Sequence, residues 1–464
     1  MLKSAKEILT DLAQSSNVSL RSDSELAGKV DAAARGEDKK RAKKQAEKKN
    51  PKDEDVALRR KPELQPISAR GEESAQLTPW DVLHVLGRAI ALSRRGAARG
   101  LAEHWGALKY SQALTGDTGS FLKLSAEGKE TAGYYKANQS TELGVGFGLA
   151  LTQRVLAQRH PDRVVSIVPA DTALRAGWAL TSREKGRRPQ KGYSYRPQFF
   201  AELWKPDAPS LVLPIACKGN HSNAKRSHIQ LASASAHAEA VHIGAWNETP
   251  AMVFSTELPL DGHVTVHALC AEGSGGWLRR PESGDLDVAL SDENIFPDIQ
   301  PPANGAEFPS SVPGFHVTSK RSAWFGQVLA RTAAAGLTAF AGNGDATGQY
   351  LTERQGRKHF TGFAHAATGS VQDADNVLLG IPFVGTDHVF RLNGVRVEAF
   401  SGVATALFDR LARGRVEQYR REIYSNRHDW PNASWDSSWD GPVSVHPDGT
   451  VLAMRRLPQR DNQA

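Results

Sequence analysis

The sequence of 464 residues has few cysteines and no long apolar run. Its two cysteines, Cys217 and Cys270, exclude a disulfide-stabilised scaffold and a cysteine-rich zinc site, and such usage is typical of a reducing cytoplasm. No run of about 18 apolar residues is present, so the sequence predicts no transmembrane helix and no membrane partner. The opening residues MLKSAKEILTDLAQ contain acidic side chains and lack an apolar segment, so we expect no secretory signal. These absences together predict a cytoplasmic protein.

Three catalytic motifs are also missing from the sequence: the Walker A lysine loop, HExxH and GxSxG. Gly144, Gly146 and Gly148 have the spacing GxGxG inside a helical pattern, which differs from the dinucleotide-binding fingerprint that follows a strand. We expect these glycines to permit close packing of a helix. Cys217 lies in an apolar strand pattern, which predicts a buried structural thiol rather than a nucleophile.

The charge balance is modestly basic and very uneven along the chain. The sequence has 58 Lys and Arg against 51 Asp and Glu, a formal net charge of +7, which permits a nucleic-acid partner without requiring one. Between Arg35 and Pro62, twelve basic and six acidic residues occur with almost no large apolar residue. Because such a segment buries too little apolar surface to offset its ordering entropy, residues 1–75 are predicted to form a disordered or solvated helical arm. A solubilising tail and a phosphate-contacting arm both fit this composition.

The rest of the chain shows periodic patterns that divide it into three parts. Residues 76–278 are predicted to form a helical lead-in and a core over about 140–245. A helix should follow Thr78 as N-cap, and a second helix has apolar residues at four-residue spacing from Leu143 to Val155. A Pro- and acid-rich linker is expected over 279–313, followed by an α+β part over 314–464.

The predicted core has an informative order of elements. The pattern DRVVSIVPAD predicts a strand, and QFFAELW and SLVLPIACK predict a hairpin around the turn at 205–209. A helix rich in small residues, AKRSHIQLASASAHAEAV, comes next, and two further strand patterns follow it. This order predicts an α/β (α+β) protein with a mixed sheet flanked by helices.

A buried strand that ends in Cys217-Lys218-Gly219 and is followed by a helix resembles the core of the PD-(D/E)xK nuclease superfamily, the restriction-endonuclease-like fold. Members of that family use two acidic side chains at neighbouring strand ends to hold Mg²⁺, which activates a water molecule. They also use a lysine two residues after the second acid, which lies on the same face of the strand. Lys218 matches that lysine. The expected acids are replaced by Ala216 and Gln198.

The resemblance implies a set of replacement site residues. Asp171 and Glu202 would be the metal ligands for Mg²⁺ or Mn²⁺, and Lys218 would position the water or stabilise phosphoryl charge. Glu142 matches an acid on the first core helix that would support the site. Gln230 matches a polar position on the following helix.

A basic segment with interleaved tyrosines precedes the hairpin, and a polar cluster follows it. Basic side chains neutralise phosphates and aromatic rings stack on bases, so these residues are predicted to contact nucleic acid, although an ordinary exposed basic loop fits them as well. The candidate residues are Arg183, Lys185, Arg187, Arg188, Lys191, Tyr193, Tyr195, Lys225 and Arg226.

The resemblance therefore implies a metal-dependent DNA phosphodiester hydrolase, an endonuclease, with restriction or phage defence as a typical role. The alternative is a non-catalytic DNA-binding or scaffold protein with a degenerate nuclease-like fold, which Ala216 favours. A further alternative is a hydrolase or structural protein with no nucleic-acid partner. The oligomeric state, with a homodimer among the options, and the role of residues 280–464 stay open.

Overall fold

The computed structural model of the chain describes residues 3–47, 58–67, 74–93, 103–116, 119–178, 180, 194–245, 248–301, 311–360 and 374–458. The α-helices within these residues are α1 (Ala5–Ala13), α2 (Ser24–Ala46), α3 (Pro79–Ile90), α4 (Ala126–Lys129), α5 (Gly133–Arg159), α6 (Ala170–Arg175), α7 (Ala224–Glu239), α8 (Ser322–Phe340), α9 (Gly344–Tyr350), α10 (Thr405–Ala412) and α11 (Val416–Ser425). Short 3-10 helices cover Glu103–Tyr110, Asp285–Asp287, Ser319–Arg321 and Arg357–His359.

The strands fall into a main sheet, a C-terminal sheet and small two-stranded pairs. They are β1 (Ser16–Arg21), β2 (Gln65–Pro66), β3 (Ser74–Leu77), β4 (Leu114–Thr115), β5 (Lys123–Leu124), β6 (Val164–Pro169), β7 (Phe199–Trp204), β8 (Ser210–Asn220), β9 (Val241–Ile243), β10 (Ala251–Glu257), β11 (Thr265–Ala271), β12 (Trp277–Leu278), β13 (Asp298–Ile299), β14 (Val312–Pro313), β15 (Phe315–Val317), β16 (Ala374–Leu378), β17 (Ile381–Leu392), β18 (Val395–Ala404), β19 (Trp435–Asp436), β20 (Gly441–Val445) and β21 (Thr450–Arg456).

The main sheet is mixed and has the strand order β3-β1-β11-β10-β8-β7-β6, with β12 and β2 added at its sides. Strands β6, β7 and β8 form an antiparallel meander, and β8 pairs in parallel with β10 after the crossover through α7. The predicted hairpin is thus confirmed, as is the general α/β class with helices around a mixed sheet.

Glycines explain how α5 packs directly on β8. A Cβ atom on Gly144 would lie 2.5 Å from the carbonyl oxygen of Lys218, and one on Gly148 would lie 2.6 Å from Cys217 Sγ. A Cβ atom on Gly219 would clash with the carbonyl oxygen of Ser140. The expectation that these small residues permit close packing is confirmed. The helix begins at Gly133, ten residues before the apolar pattern that starts at Leu143.

The N-terminal residues are part of the fold, which corrects the predicted arm over 1–75. Helix α1 buries Ile8, Leu9 and Leu12, and β1 pairs in parallel with β11 inside the main sheet. Helix α2 packs on α7 through Leu26 and Val30. The four-residue spacing of Leu26 and Val30 gives a mostly charged helix just enough apolar surface to attach to the protein.

A buried ionic cluster fixes the segment around residue 60 to the end of α7. The Lys61 ammonium lies 3.1 Å from the carboxylate of Glu239 and donates to the carbonyl oxygen of Thr249 at 2.6 Å. His242 also lies 3.1 Å from Glu239. Both charged groups of the Lys61–Glu239 pair are almost fully buried, so this contact places a second part of the predicted arm inside the protein.

The C-terminal part forms an antiparallel sheet of order β16-β17-β18-β21-β20-β19. It shares one hydrophobic core with the main sheet through α3, whose Trp80 Nε1 donates to the carbonyl oxygen of Leu452 at 2.8 Å. The predicted linker over 279–313 is packed in its described residues, because Leu286, Ile295 and Ile299 are buried. Within the described ranges, no helix combines the length and apolar character needed to cross a bilayer.

Candidate nucleic-acid interface

Lys218 lies near the end of β8, on the face of the main sheet that α7 covers. The preceding Cys217 contacts α5, so strand alternation directs the Lys218 side chain to the opposite face. Burial lowers the pKa of the Lys218 ammonium from its ordinary value. No carboxylate among the described residues forms an ion pair with Lys218, so it is a partly desolvated cation at the sheet end.

The two positions at which the family carries acids have no negative charge here. Ala216 is buried against α7. Gln198 accepts a hydrogen bond on its Oε1 from the Cys217 backbone N–H at 2.5 Å. The amide of Gln198 therefore joins the start of β7 to β8, and neither residue offers an anionic oxygen beside Lys218.

Asp171 lies in the first turn of α6, at the end of β6. Its carboxylate forms ion pairs with Arg175 at 2.8 Å and with Arg196, one to each oxygen. Because both oxygens are already bound by guanidinium groups, Asp171 is not an available metal ligand, contrary to the prediction.

Glu202 lies at the other end of the hairpin, opposite Val212 on β8. Its buried carboxylate is 2.5 Å from the Arg420 guanidinium of α11. Lys218 follows Val212 by six positions on β8, which corresponds to about 20 Å at the usual rise of a strand. The predicted role of Glu202 as a metal ligand and catalytic residue is therefore wrong.

Glu142 is on the α5 side of the sheet, away from Lys218. Its carboxylate lies 2.6 Å from the Lys109 ammonium, and burial together with the Glu142 charge raises the pKa of the Tyr110 hydroxyl. Glu142 therefore anchors the 3-10 helix at Glu103–Tyr110 instead of supporting a site, which corrects the prediction.

The four predicted catalytic residues thus do not meet at one place. In the part of the chain that the structure describes, no group of three or more His, Cys, Asp or Glu residues is arranged to hold a metal ion. The described side chains near Lys218 supply amides, hydroxyls and cations, a set that does not fit Mg²⁺ or Mn²⁺ because these ions prefer carboxylate oxygens.

Polar residues of α7 and the neighbouring strands surround the end of β8. Gln230 donates to the carbonyl oxygen of Gly219 at 2.8 Å and accepts from Ser255 and Asn220 at 2.7 and 3.0 Å. Gln230 therefore lies one contact away from Lys218. Its hydrogen-bond donor Ser255 is the direct β10 neighbour of Lys218. This network fixes the backbone on which Lys218 is carried.

His237 of α7 joins this region to the residue before the hairpin. Its Nδ1 donates to the carbonyl oxygen of Arg196 at 2.9 Å. Burial, and secondly the positive charge of Lys218, lower the pKa of the His237 imidazole. The lowered pKa favours the neutral form of the His237 imidazole beside the Lys218 ammonium.

Helix α2 brings a second set of cations to this end of the sheet. Arg41 Nη2 donates to the Tyr195 hydroxyl at 2.9 Å, and the Tyr195 ring centroid is 5.4 Å from that of His237. A hydrogen bond from Lys40 and the charges of Arg226 and Arg41 lower the pKa of the Glu37 carboxyl. We call the following exposed residues the cationic surface: Lys39, Lys40, Arg41, Lys43, Lys44, Lys225 and Arg226.

The predicted nucleic-acid interface falls partly within and partly outside the described residues. The described members are the half-buried Tyr195 and the exposed Lys225 and Arg226. The members that lie outside the described residues are Arg183, Lys185, Arg187, Arg188, Lys191 and Tyr193. Arg41 was not predicted as a partner of this region, although the spacing of Leu26 and Val30 is a signal that its helix is attached to the protein.

Comparison with known proteins found no matching family model, no matching curated protein and no matching solved structure. The geometry of the chain itself is therefore the basis of the functional proposal.

Proposed function

We propose that the protein binds DNA through the cationic surface and that its nuclease-like core serves as a non-catalytic scaffold. The observation that carries the proposal is the hydrogen bond between Arg41 and Tyr195, because it joins a basic helix to the strand end where Lys218 lies. Glu37 compensates Lys40 at 2.9 Å, and the remaining cations, gathered from separate parts of the chain, repel each other unless a further anion compensates them. The phosphates of DNA supply that charge at regular spacing.

The order of elements supports the nuclease-like part of the proposal. Helix α5, the antiparallel strands β6, β7 and β8, the crossover helix α7 and the parallel strand β10 follow one another as the resemblance leads one to expect. Lys218 keeps the family's lysine position. Ala216 and Gln198 replace its acids with neutral groups, which favours binding over hydrolysis.

The binding proposal is tested by fluorescence anisotropy with a short labelled DNA duplex between about 50 and 200 mM salt. We expect affinity to fall steeply with salt, and the charge-reversing variant Arg41→Glu/Arg226→Glu to bind at least tenfold more weakly. The matched control is Arg413→Glu/Arg415→Glu, which makes the same change in net charge in the exposed loop between α10 and α11. Equal losses in both double variants, or no binding by the wild type, would refute the proposal.

The catalytic alternative is tested by a cleavage assay on duplex and single-stranded DNA with Mg²⁺ and with Mn²⁺. We expect no cleavage above the background of a matched Lys218→Ala preparation. Cleavage by the wild type that disappears in Lys218→Ala would establish the hydrolase that the resemblance implies, and a role in restriction or phage defence would then be its natural extension.

A further inference from the structure

Two adjacent tyrosines project into solvent from the first turn of α5. Tyr134 is 77% exposed and Tyr135 is 53% exposed, and their ring centroids lie 4.3 Å apart with the rings inclined by 39°. Single exposed aromatic residues are common, but two large rings side by side in water form a surface that binding would bury.

The tyrosines lie at the same end of the main sheet as Lys218. The backbone of α5 packs against β8 with Ser140 beside Gly219 and Gly144 beside Lys218. Tyr135 precedes Ser140 by five residues, so it projects about 8 Å further along the helix axis, past the end of β8. The cationic residues at the start of α7 follow the same strand end on the other face of the sheet.

Further exposed apolar residues surround this strand end. Asn220 at the end of β8 pairs with Glu257 at the end of β10, and the connection from β10 to β11 carries Leu260, which is 40% exposed. Phe121 is 42% exposed and its ring centroid lies 4.8 Å from that of His263 in the same connection. Aromatic and cationic groups are therefore combined at one end of the molecule.

The first turn of α5 also favours an anion next to the rings. It contains no acidic residue, and no side chain among the described residues caps it. The positive end of the helix dipole and Lys136 therefore accompany the tyrosines. A ring that stacks and a nearby positive charge match one nucleotide, which has a flat base and a phosphate.

We propose that Tyr134 and Tyr135 stack on unpaired bases and that the preferred partner is single-stranded DNA. The proposal rests on the DNA binding inferred above and specifies the form of the DNA. In a duplex the faces of the bases are covered by their neighbours, so exposed rings gain little from it. In a single strand one or two bases can place a face on the tyrosine rings while phosphates of nucleotides further along the strand meet the cationic surface on the other face of the sheet.

The experiment compares an oligothymidine with a duplex of equal length, using wild type, Tyr134→Ala/Tyr135→Ala and Tyr134→Phe/Tyr135→Phe. We expect the alanine variant to bind the single strand about tenfold or more weakly, and the phenylalanine variant to bind it as the wild type does, because stacking needs only the ring. Duplex binding should be the same in all three. The control is Trp277→Ala, which removes an aromatic side chain far from the tyrosines. Trp277 is 44% exposed and lies beside Leu211 at the opposite end of β8.

A fluorescent base analogue in the single strand gives a second readout, since its emission falls when it stacks. We expect quenching with the wild type and the phenylalanine variant, and its loss with the alanine variant. The proposal is wrong if the alanine variant binds and quenches the single strand as the wild type does, or if it weakens both forms of DNA equally. In those cases salt-dependent binding that is lost in Arg41→Glu/Arg226→Glu would still support the DNA-binding function by itself.

Discussion

The carboxylate of Glu202 lies 2.5 Å from the guanidinium of Arg420, and this pair joins the hairpin to the C-terminal helix α11. Arg420 also stacks over the Trp204 ring at 4.1 Å. Glu202 is 1% exposed, so its charge is largely shielded from water, and Arg420 is the cation that pairs with it among the described residues. The residue that resembled a metal ligand in the sequence is thus a structural connection between the main sheet and α11.

Removal of one member of this pair should destabilise the protein strongly. We expect Arg420→Met to lower the free energy of unfolding by about 3–5 kcal/mol, because it leaves the Glu202 carboxylate buried without a counter-charge. Urea unfolding of the full chain measures the change. The double variant Glu202→Leu/Arg420→Met should recover much of the loss, because neither charge then remains in the core; a double variant as unstable as the single one would contradict this account.

Two glycine-to-alanine substitutions should have opposite effects. A Cβ atom at Gly219 would clash with the carbonyl oxygen of Ser140, so Gly219→Ala should cost about 1–3 kcal/mol by forcing α5 away from β8. Gly36 lies inside α2 with no atom within 4 Å of its added Cβ, so Gly36→Ala should stabilise the helix by roughly 0.5–1 kcal/mol. Thermal and urea unfolding of both variants check the signs, and a neutral Gly219→Ala would show that the two elements are packed less closely.

Much of the fold was predictable because it depends on local patterns. The alternation in β6 and the hairpin chemistry around Asp207 are set by neighbouring residues, and so is the cap of α3 at Thr78. The attachment of α2 was not predicted because average composition hides a pair such as Leu26 and Val30. Two apolar residues at helical spacing suffice to attach a charged helix when a complementary surface exists, and that surface comes from a distant part of the chain.

The candidate site was less predictable because it depends on which partner each acid meets. Asp171, Glu202 and Glu142 occur in the expected order on the expected elements, but Arg196, Arg420 and Lys109 bind them. These cations lie 25, 218 and 33 residues away in sequence, and no local pattern specifies such pairs. Spacing defines the face on which a side chain lies, whereas long-range contacts decide whether its charge is free.

Lys218 should contribute to DNA binding at a cost in stability. Burial lowers the pKa of its ammonium below 10.5, so at neutral pH the folded protein holds a partly desolvated charge. We expect Lys218→Met to raise the free energy of unfolding by roughly 0.5–2 kcal/mol and to weaken DNA binding. Because the folded pKa is depressed, the wild type regains this stability as the pH rises through the folded pKa toward 10.5. The stability difference between the two proteins should therefore shrink in alkaline buffer, which urea unfolding at several pH values can follow; a difference that does not change with pH would contradict this account.

Acid should destabilise the junction between α3 and the C-terminal sheet. The ring centroids of His84 and His446 lie 3.9 Å apart in the core, where His84 contacts the hydroxyls of Ser444 and Thr450 at 3.0 and 3.1 Å. Burial lowers the pKa of both imidazoles below 6.5, most strongly for His84.

The unfolded chain therefore binds more protons than the folded protein when the pH falls below 6.5. Stability is fully present above that value and is lost progressively below it, by about 1.4 kcal/mol per pH unit for each imidazole that stays neutral in the fold. Asp448 forms an ion pair with Arg88, and its pKa is lowered from 3.8. Asp448 therefore contributes to the loss of stability only in more acidic solution.

Urea unfolding between pH 7.5 and pH 5 measures the slope of stability against pH. We expect His446→Gln to reduce the slope by the contribution of one imidazole, at most about 1.4 kcal/mol per pH unit, while other histidines whose pKa burial lowers, such as His237, keep the rest of the slope. The control is His428→Gln, at an exposed position, which should leave the slope unchanged. A wild-type protein whose stability stays constant over this range would show that the two rings accept protons within the fold, and the buried pair would then have no role in acid sensitivity.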